Sequence, residues 1–158
     1  HLLSKVCEQT YISLREEQEA QVPFGYASLT DEDKFRGPFN GILSAHNRHP
    51  EVAWLVLACD LPLMDLPALE QLIKERNPEK MATAFANIED PLPEPLCAIW
   101  EPHGLKKAIS YLEVGDGTCP RKFLINGDVE LVFPENKNAI LNANSQEDYQ
   151  EALSKLTT

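Results

Sequence analysis

The chain has 158 residues, a length that suits one domain with a sizeable core, and its 43% hydrophobic and 25% charged residues are ordinary for a globular protein. Its 14 basic and 25 acidic side chains give a formal charge of −11, which repels nucleic acids and anionic membranes, so we expect neither as a partner. The apolar runs are too short for a membrane span, and the four cysteines form no CxxC pair, which argues against zinc-ribbon and thioredoxin-like proteins.

The predicted elements alternate between strands and helices. In the first third of the chain the sequence predicts a helix end over 1–7, a strand over 10–14, a helical turn over 15–20, an extended or irregular segment over 22–29, and a helix that begins at Pro38 and ends before Pro50. In the middle it predicts a strand over 53–59, a helix over 67–76, a strand over 81–86, a stiff proline-rich loop over 87–95 and a strand over 96–101. The last third is predicted to contain helices over 104–112 and 120–124, strands over 129–133 and 139–141, and a helix over 146–155. This alternation predicts an α/β fold with a mostly parallel sheet covered on both faces. Without a linker or repeat, we expect residues 1–158 to form a single domain.

The cysteines and histidines are interpreted as structural residues rather than as ligands of a metal. Cys59 and Cys97 lie in apolar runs and are interpreted as small buried hydrophobes. The spacing of His46, His49 and His103 matches no metal motif, so we interpret them as surface or capping residues. With no secretory signal in the chain, a reducing, cytoplasmic setting is expected.

Asp60 is the candidate functional residue that the pattern marks most clearly. It follows the apolar run 53–59, which reads as a buried parallel strand, and a predicted helix begins a few residues later. Ligands of open α/β sheets bind outside the carboxyl ends of such strands, where a carboxylate can hold a hard cation or face a phosphate ester. For a lone Asp, capping of the turn before the next helix is the ordinary alternative.

Three further segments carry candidate binding residues. Gly37 and Gly41 flank a helix start, where a backbone can approach an anion, although this is also ordinary helix-start chemistry. Glu94 lies between Pro93 and Pro95, which hold it in an extended geometry or simply stiffen the connection. The segment 142–148 joins a predicted strand to the last helix, and helix capping alone explains its composition.

Taken in order, these segments resemble a known family. Four of them match its elements: residues 37–42 (GPFNGI) resemble its GPLxGI helix start, residues 57–62 (LACDLP) its CDxP strand end, residues 93–97 (PEPLC) its substrate loop, and residues 142–148 (NANSQED) its NxNTPED element. The family is the MobA-like nucleotidyltransferases. The resemblance covers nearly the whole chain and is most specific over residues 31–62.

The resemblance implies a Rossmann-like three-layer α/β/α domain that transfers a nucleoside monophosphate from GTP or another NTP to a molybdopterin-type acceptor, releasing pyrophosphate. By resemblance, Asp60 would hold Mg²⁺ between the phosphates and is the expected catalytic residue. The expected nucleotide-binding residues are Asp31, with Asp33 as the alternative register, Ser13, Gly37 and Gly41. The expected acceptor-binding residues are Glu94, Pro95, Asn142 and Asn144, the last two also being the polar pair near the metal.

One departure from the family concerns its beginning. The family opens with a strand and a glycine-rich loop, LAGGxSxRMGxDK, whose Arg and Lys contact the triphosphate, and this chain contains no such segment. We expect ~30–40 residues to be missing, one strand and most of a helix, because the chain is incomplete or because another polypeptide supplies the strand. The chain by itself is then expected to bind nucleotide poorly and to be inactive.

Three alternatives stay open. The chain could be a non-catalytic module of the same family that binds a cofactor or partner, or an enzyme that transfers a nucleotide to another small phosphorylated acceptor. It could also be a flavodoxin-like domain of unrelated role. The donor base and the oligomeric state are not readable from the sequence.

Overall fold

A computed structural model of the protein describes residues 1–115, 117–143, 145, 147, 149, 150 and 154. The strands in the described residues are β1 (Tyr11–Leu14), β2 (Ala27–Thr30), β3 (Trp54–Leu57), β4 (Ala82–Ala86), β5 (Pro93–Trp100) and β6 (Val129–Val132). The α-helices there are α1 (Pro38–Arg48), α2 (Leu66–Lys74), α3 (Pro102–Val114) and α4 (Pro120–Ile125), with 3-10 helices over Leu3–Lys5 and Glu16–Gln21. Each of the four α-helices has a proline in its first turn, where the missing N–H costs no hydrogen bond.

The described strands form two sheets. In one, β1 pairs with β2 in parallel, and in the other the strand order is β3-β5-β4-β6. Strand β5 runs antiparallel to β3 and β4, whereas β6 runs parallel to β4, so β3, β4 and β6 share one direction. The predicted α/β fold with a mostly parallel sheet is confirmed, and β5 is its reversed strand.

Helices and apolar side chains cover both faces of the larger sheet. Alternate residues of β5 divide between two clusters: Ala98 and Trp100 pack with α1, α3 and α4, whereas Cys97 and Ile99 pack with α2. This two-residue period is what a strand between two apolar layers requires. The Rossmann-like three-layer arrangement that the resemblance implies is therefore present.

Some predicted boundaries and elements are wrong. The 139–141 triplet forms turns rather than a strand, whereas residues 27–30, in the segment predicted as extended or irregular, form β2. The proline-rich residues 93–95, predicted as loop, open β5, beside a register shift between Ala84 and Ala86 in the neighbouring strand. Such irregularities are where a sheet tolerates proline. Most of the predicted helix over 146–155 lies outside the described residues.

The facing edges of the two sheets lie at β1 and β3. No backbone pairing joins β1 to β3 within the described part of the chain, and all four residues of β3 stay partly exposed. At their amino ends the rings of Tyr11 and Trp54 lie 5.8 Å apart. The expectation that the family's first strand is missing from this chain stays a prediction.

Among the helices that the structure describes, none combines the length and the apolar content that a bilayer span requires.

Candidate functional site

The carboxyl ends of β1 and β2 bring two predicted nucleotide-binding residues together. Ser13 lies in β1, Asp31 directly follows β2, and parallel pairing puts both at the same edge of the small sheet. The Ser13 hydroxyl Oγ donates a hydrogen bond of 3.1 Å to Asp31 Oδ1, and the Asp31 backbone N–H donates to the Leu14 carbonyl at 2.9 Å. The Asp31 carboxylate is therefore held at a strand end, where ligands of α/β folds bind.

Gly41 completes this cluster from the first turns of α1. A Cβ atom at position 41 would lie 2.6 Å from Ser13 Oγ and 3.3 Å from Asp31 Oδ1. Any larger residue would displace the serine hydroxyl, so the close approach of helix and strands depends on glycine. Gly37 precedes the same helix with a φ of 64°, a left-handed conformation that favours glycine.

A shallow pocket of about 210 Å³ lies beside the cluster. Ser13 lines it together with Gln18, Gln21 and Val22 from the segment between β1 and β2. The side-chain amides and the hydroxyl around this small concave surface can donate hydrogen bonds to a planar ligand and accept hydrogen bonds from it.

Polar residues of α1 organise the loop that carries Asp31, and the sequence analysis missed them. Asn40 Oδ1 accepts from the Phe35 backbone N–H at 3.2 Å, and Ser44 Oγ accepts from the Glu32 backbone N–H at 2.9 Å. Both side chains are buried, at 6% and 5% exposure. With Asn47, which donates to the Glu32 carboxylate, they recur at helical spacing on one face of α1. Polar residues at i, i+4 and i+7 of an otherwise apolar helix are the signal that could have identified them.

The same loop distinguishes the two alternative registers. Asp33 accepts a hydrogen bond of 3.3 Å from Asn40 Nδ2, away from Ser13, and its φ is 52°. Asp31 is the residue that contacts Ser13 and approaches Gly41. The structure thus places Asp31, not Asp33, in the cluster.

Asp60 lies in the turn that follows β3. Its carboxylate oxygen Oδ1 is buried and has no hydrogen-bond partner among the described residues. A buried carboxylate oxygen without a donor is costly unless a cation or another donor binds it. The residues present therefore fit a hard cation at this position.

The described residues contain no group of three or more His, Cys, Asp or Glu side chains that could hold a metal ion. A cation at Asp60 would thus need oxygen ligands from other sources. Mg²⁺ commonly binds in this way, through one or two carboxylates, water and substrate phosphates.

The segment around Asn142 lies directly against Asp60. The Ala143 backbone N–H donates to the Asp60 carbonyl at 2.8 Å, which brings the exposed Asn142 beside this turn. The predicted partner Asn144 lies outside the described residues. Two segments more than 80 residues apart in sequence, 60 and 142–143, thus meet at one point.

The predicted acceptor residues of β5 lie near the same turn. The Ala58 backbone N–H donates to the Leu96 carbonyl at 2.7 Å, so the first residues of β5 adjoin the end of β3. Glu94 forms an ion pair with Arg121 of α4 and also accepts from the Leu96 N–H. Pro95 is buried, and its carbonyl accepts from the Trp100 indole N–H at 3.0 Å. Arg121 was not predicted, because its partner lies 27 residues away along the chain.

Two of the structural interpretations are wrong. Cys59 is exposed because it lies in the turn after β3, whereas Cys97 is buried as predicted, and burial raises the pKa of its thiol to about 12. His46 is buried rather than on the surface, with 2% exposure, and this burial lowers the pKa of its imidazole. His103 is exposed, as predicted.

Comparison with known protein sequences gives relatives with closely similar names. The chain is 36% identical over 149 residues to the "Molybdenum cofactor biosynthesis bifunctional protein" of Synechocystis sp., matching 94% of the chain and 43% of that protein. It is 24% identical over 151 residues to the "Molybdenum cofactor guanylyltransferase" of Shewanella sp. (strain W3-18-1), matching 95% of the chain and 76% of that protein. The chain thus spans less than half the length of the Synechocystis relative.

Two solved structures share the fold. The molybdopterin-guanine dinucleotide biosynthesis protein A from Archaeoglobus fulgidus has a TM-score of 0.75 at 22% identity, covering 99% of the chain and 85% of that protein. The putative protein Aq1419 from Aquifex aeolicus VF5 has a TM-score of 0.73 at 20% identity, covering 90% and 75%.

The family profile described as "MobA-like NTP transferase domain" matches residues 1–129 of the chain, most of its length. The chain therefore belongs to the MobA-like NTP transferase domain family.

Proposed function

We propose that this domain transfers a nucleoside monophosphate, GMP from GTP, to the phosphate of a molybdopterin-type acceptor and releases pyrophosphate. The relatives from Shewanella and Synechocystis, whose names refer to guanylyl transfer and molybdenum cofactor biosynthesis, support this choice of donor and acceptor.

The observation that carries the proposal is the buried carboxylate oxygen of Asp60. It lies at the carboxyl end of β3, has no hydrogen-bond partner within the described part of the chain, and adjoins the Asn142–Ala143 segment. We propose that Asp60 would hold a Mg²⁺ ion when the donor nucleotide is bound, and that Asn142 and Asn144 would serve as polar ligands of the metal or the acceptor. When bound, Mg²⁺ offsets the negative charge of the triphosphate and of the leaving pyrophosphate.

On the nucleotide side we propose that the Ser13–Asp31–Gly41 cluster contacts the nucleoside. Asp31 offers carboxylate oxygens that accept from ring N–H or hydroxyl groups, Ser13 fixes the carboxylate, and Gly41 lets α1 approach both side chains closely. Gly37, with the N–H groups at the start of α1, suits a phosphate.

On the acceptor side we propose that Glu94 and Asn142 face the second substrate. Pro95, which is buried, contributes by holding the start of β5 beside the Asp60 turn. In the reaction an acceptor phosphate oxygen attacks the α-phosphorus, a new P–O bond forms, and the bond between the α-phosphorus and its bridging oxygen to the β-phosphate breaks. These side chains hold the two substrates in the reacting geometry, which lowers the entropic cost of reaching the transition state. No protein nucleophile is required.

Nucleotide-dependent thermal stabilisation tests the proposal. GTP at about 100 times its Kd with Mg²⁺ should raise the Tm of the protein by ~5–10 °C, more than ATP or CTP does, and EDTA should remove the effect.

Other outcomes would redirect the proposal. A larger shift with CTP would assign cytidylyl transfer, and absence of any nucleotide effect would favour a non-catalytic binding module. If GTP binds but pyrophosphate is released only with a phosphorylated acceptor other than molybdopterin, the acceptor assignment is wrong.

Gly41→Ala should weaken GTP binding about tenfold, because the added methyl group displaces the Ser13 hydroxyl, 2.6 Å away, and breaks its hydrogen bond to Asp31. The double variant Gly41→Ala/Ser13→Ala removes the overlapping oxygen and serves as the control for steric strain in α1. Titration calorimetry with Mg²⁺·GTP measures both variants. Unchanged affinity in the Gly41→Ala variant would remove the cluster from the nucleotide site.

We also propose a reducing, cytoplasmic location. All four cysteines are free, and Cys59 and Cys119 are exposed, a state that such a compartment preserves.

A further inference from the structure

Side chains that were not predicted from the sequence attach the chain between β6 and Asn142 to α2. We call residues 133–143 the return segment, because after β6 the chain runs back along α2 to the Asp60 turn. The Gln71 side-chain amide donates to the Phe133 carbonyl at 3.0 Å and accepts from the Glu135 N–H at 3.0 Å. Its amide thus pairs with the backbone at the start of the segment.

Asp65 forms the second attachment. It is the N-cap of α2, where its Oδ1 accepts from the Ala68 N–H at 2.9 Å. Its other oxygen, Oδ2, accepts from Asn136 Nδ2 at 2.8 Å. Asn136 Oδ1 in turn accepts from the Asn138 N–H at 3.1 Å, which fixes the orientation of the Asn136 amide. One carboxylate therefore begins a helix and holds the return segment.

The return segment and the turn from Asp60 to Asp65 are joined at both ends. Asn136 binds Asp65 at one end, and the Ala143 N–H binds the Asp60 carbonyl at the other. Between these points Ala139, which is fully buried, packs in the apolar cluster of α2. The turn itself packs into the core, since Leu61, Leu63 and Met64 are buried, and the Met64 N–H donates to the Leu61 carbonyl.

We propose that Asp65 and Asn136 are positioning residues, whose hydrogen bond sets the return segment so that Asn142 and the Asp60 carboxylate face the same metal–triphosphate group. This inference rests on the proposed function for its metal and nucleotide. Asn142 is exposed, so its position depends on the neighbouring residues that hold its backbone. Residues that orient metal ligands change metal affinity about 10–100-fold.

A reciprocal exchange of the two side chains tests this role. Asp65→Asn places two amide donors against each other, and Asn136→Asp places two carboxylates against each other. The double variant Asp65→Asn/Asn136→Asp restores one donor and one acceptor, and it retains both the cap to Ala68 and the acceptor for Asn138. Asn and Asp are about equally effective N-caps, so the exchange leaves the start of α2 intact.

Asn77 offers a matched control. Its Oδ1 accepts from the Glu79 N–H and its Nδ2 donates to the Glu130 carboxylate at 3.1 Å, the same two bonds that Asn136 makes. It precedes β4 and so lies at the amino edge of the parallel strands, opposite the Asp60 turn. Asn77→Asp therefore creates the same repulsion between carboxylates away from the proposed site.

Two measurements on the natural protein are compared for the four variants. Hydrogen–deuterium exchange of the Ala143 amide, without nucleotide, measures attachment of the return segment, and Mn²⁺ binding with GTP measures the metal site. We expect each single variant to accelerate the Ala143 exchange and to weaken Mn²⁺ binding about tenfold. The double variant should restore both values, and Asn77→Asp should change neither.

The inference would be overturned by unchanged Ala143 exchange in both single variants, by no recovery in the double variant, or by an equal effect of Asn77→Asp. Faster exchange with unaltered Mn²⁺ affinity would also overturn it, by reducing the pair to a purely structural contact. If the unmodified protein bound no Mn²⁺ with GTP, the proposed function would fail. The exchange measurement uses no nucleotide, so it would still report separately whether Asp65 and Asn136 hold the return segment.

Discussion

Replacing Asp60 with alanine is expected to slow nucleotidyl transfer on the order of 10³-fold or more while the protein stays folded. The described residues contain no group of three or more His, Cys, Asp or Glu side chains that could hold a metal ion in its place, and the variant loses the proposed protein ligand of the metal. The fold should persist, because the side chain accepts no hydrogen bond at its buried Oδ1 from the described residues and its structural contact to Ala143 runs through the backbone carbonyl. Pyrophosphate release from GTP, measured with saturating Mg²⁺, reports the rate.

Asp128→Ala is the control for loss of an aspartate. Asp128 pairs with Lys80 beside the amino ends of β4 and β6, so its removal should leave turnover unchanged. A near-normal rate in a folded Asp60→Ala variant would refute the assignment of Asp60, and an equal loss in Asp128→Ala would show that the assay reports general damage.

Arg76→Ala should lower the free energy of unfolding by about 3 kcal/mol, the largest stability effect that we expect from a single surface-accessible side chain. Arg76 donates two hydrogen bonds to Glu101, of 2.6 and 2.8 Å, and the Glu101 side chain is only 4% exposed. This ion pair raises the pKa of Arg76 and links the end of α2 to the start of α3. Without the guanidinium, a buried carboxylate remains uncompensated. Urea unfolding measures the loss.

The companion variants separate the ion pair from other effects. Lys80→Ala breaks an ion pair of the same 2.6 Å distance whose carboxylate is exposed, and it should leave stability nearly unchanged. Arg76→Ala/Glu101→Gln removes the buried charge and should recover part of the lost stability. If Arg76→Ala matched Lys80→Ala, burial of Glu101 would not carry the cost that we assign to it.

Elements with strong local signals could be predicted from the sequence. Pro38 at the first turn identified α1, and the continuous apolar run before Asp60 identified β3. The segment that contains β2 was predicted only as extended or irregular, because Pro23 and Gly25 interrupt the pattern before it. Its pairing with β1 is a contact that no local pattern records. The 139–141 triplet was misassigned because a short apolar run does not distinguish a strand from a turn whose alanine packs in the core.

The candidate site divides in the same way. Asp60 follows a clear apolar run and could be selected from local pattern, whereas Asp31 was expected only from the resemblance to the family, and its bond with Ser13 became visible only in the fold. The pairs Asp65–Asn136 and Glu94–Arg121 join distant segments and carry no sequence signal of their own. Long-range hydrogen bonds and ion pairs are therefore the part of the site that required the structure.

Direct metal binding tests the central claim, that the Asp60 carboxylate holds the divalent cation of the bound nucleotide. Mn²⁺ bound in the presence of GTP can be titrated by electron paramagnetic resonance in the natural protein and in its Asp60→Ala variant. We predict that the variant binds Mn²⁺ at least ~10²-fold more weakly. Equal Mn²⁺ affinity in the two proteins would contradict the account.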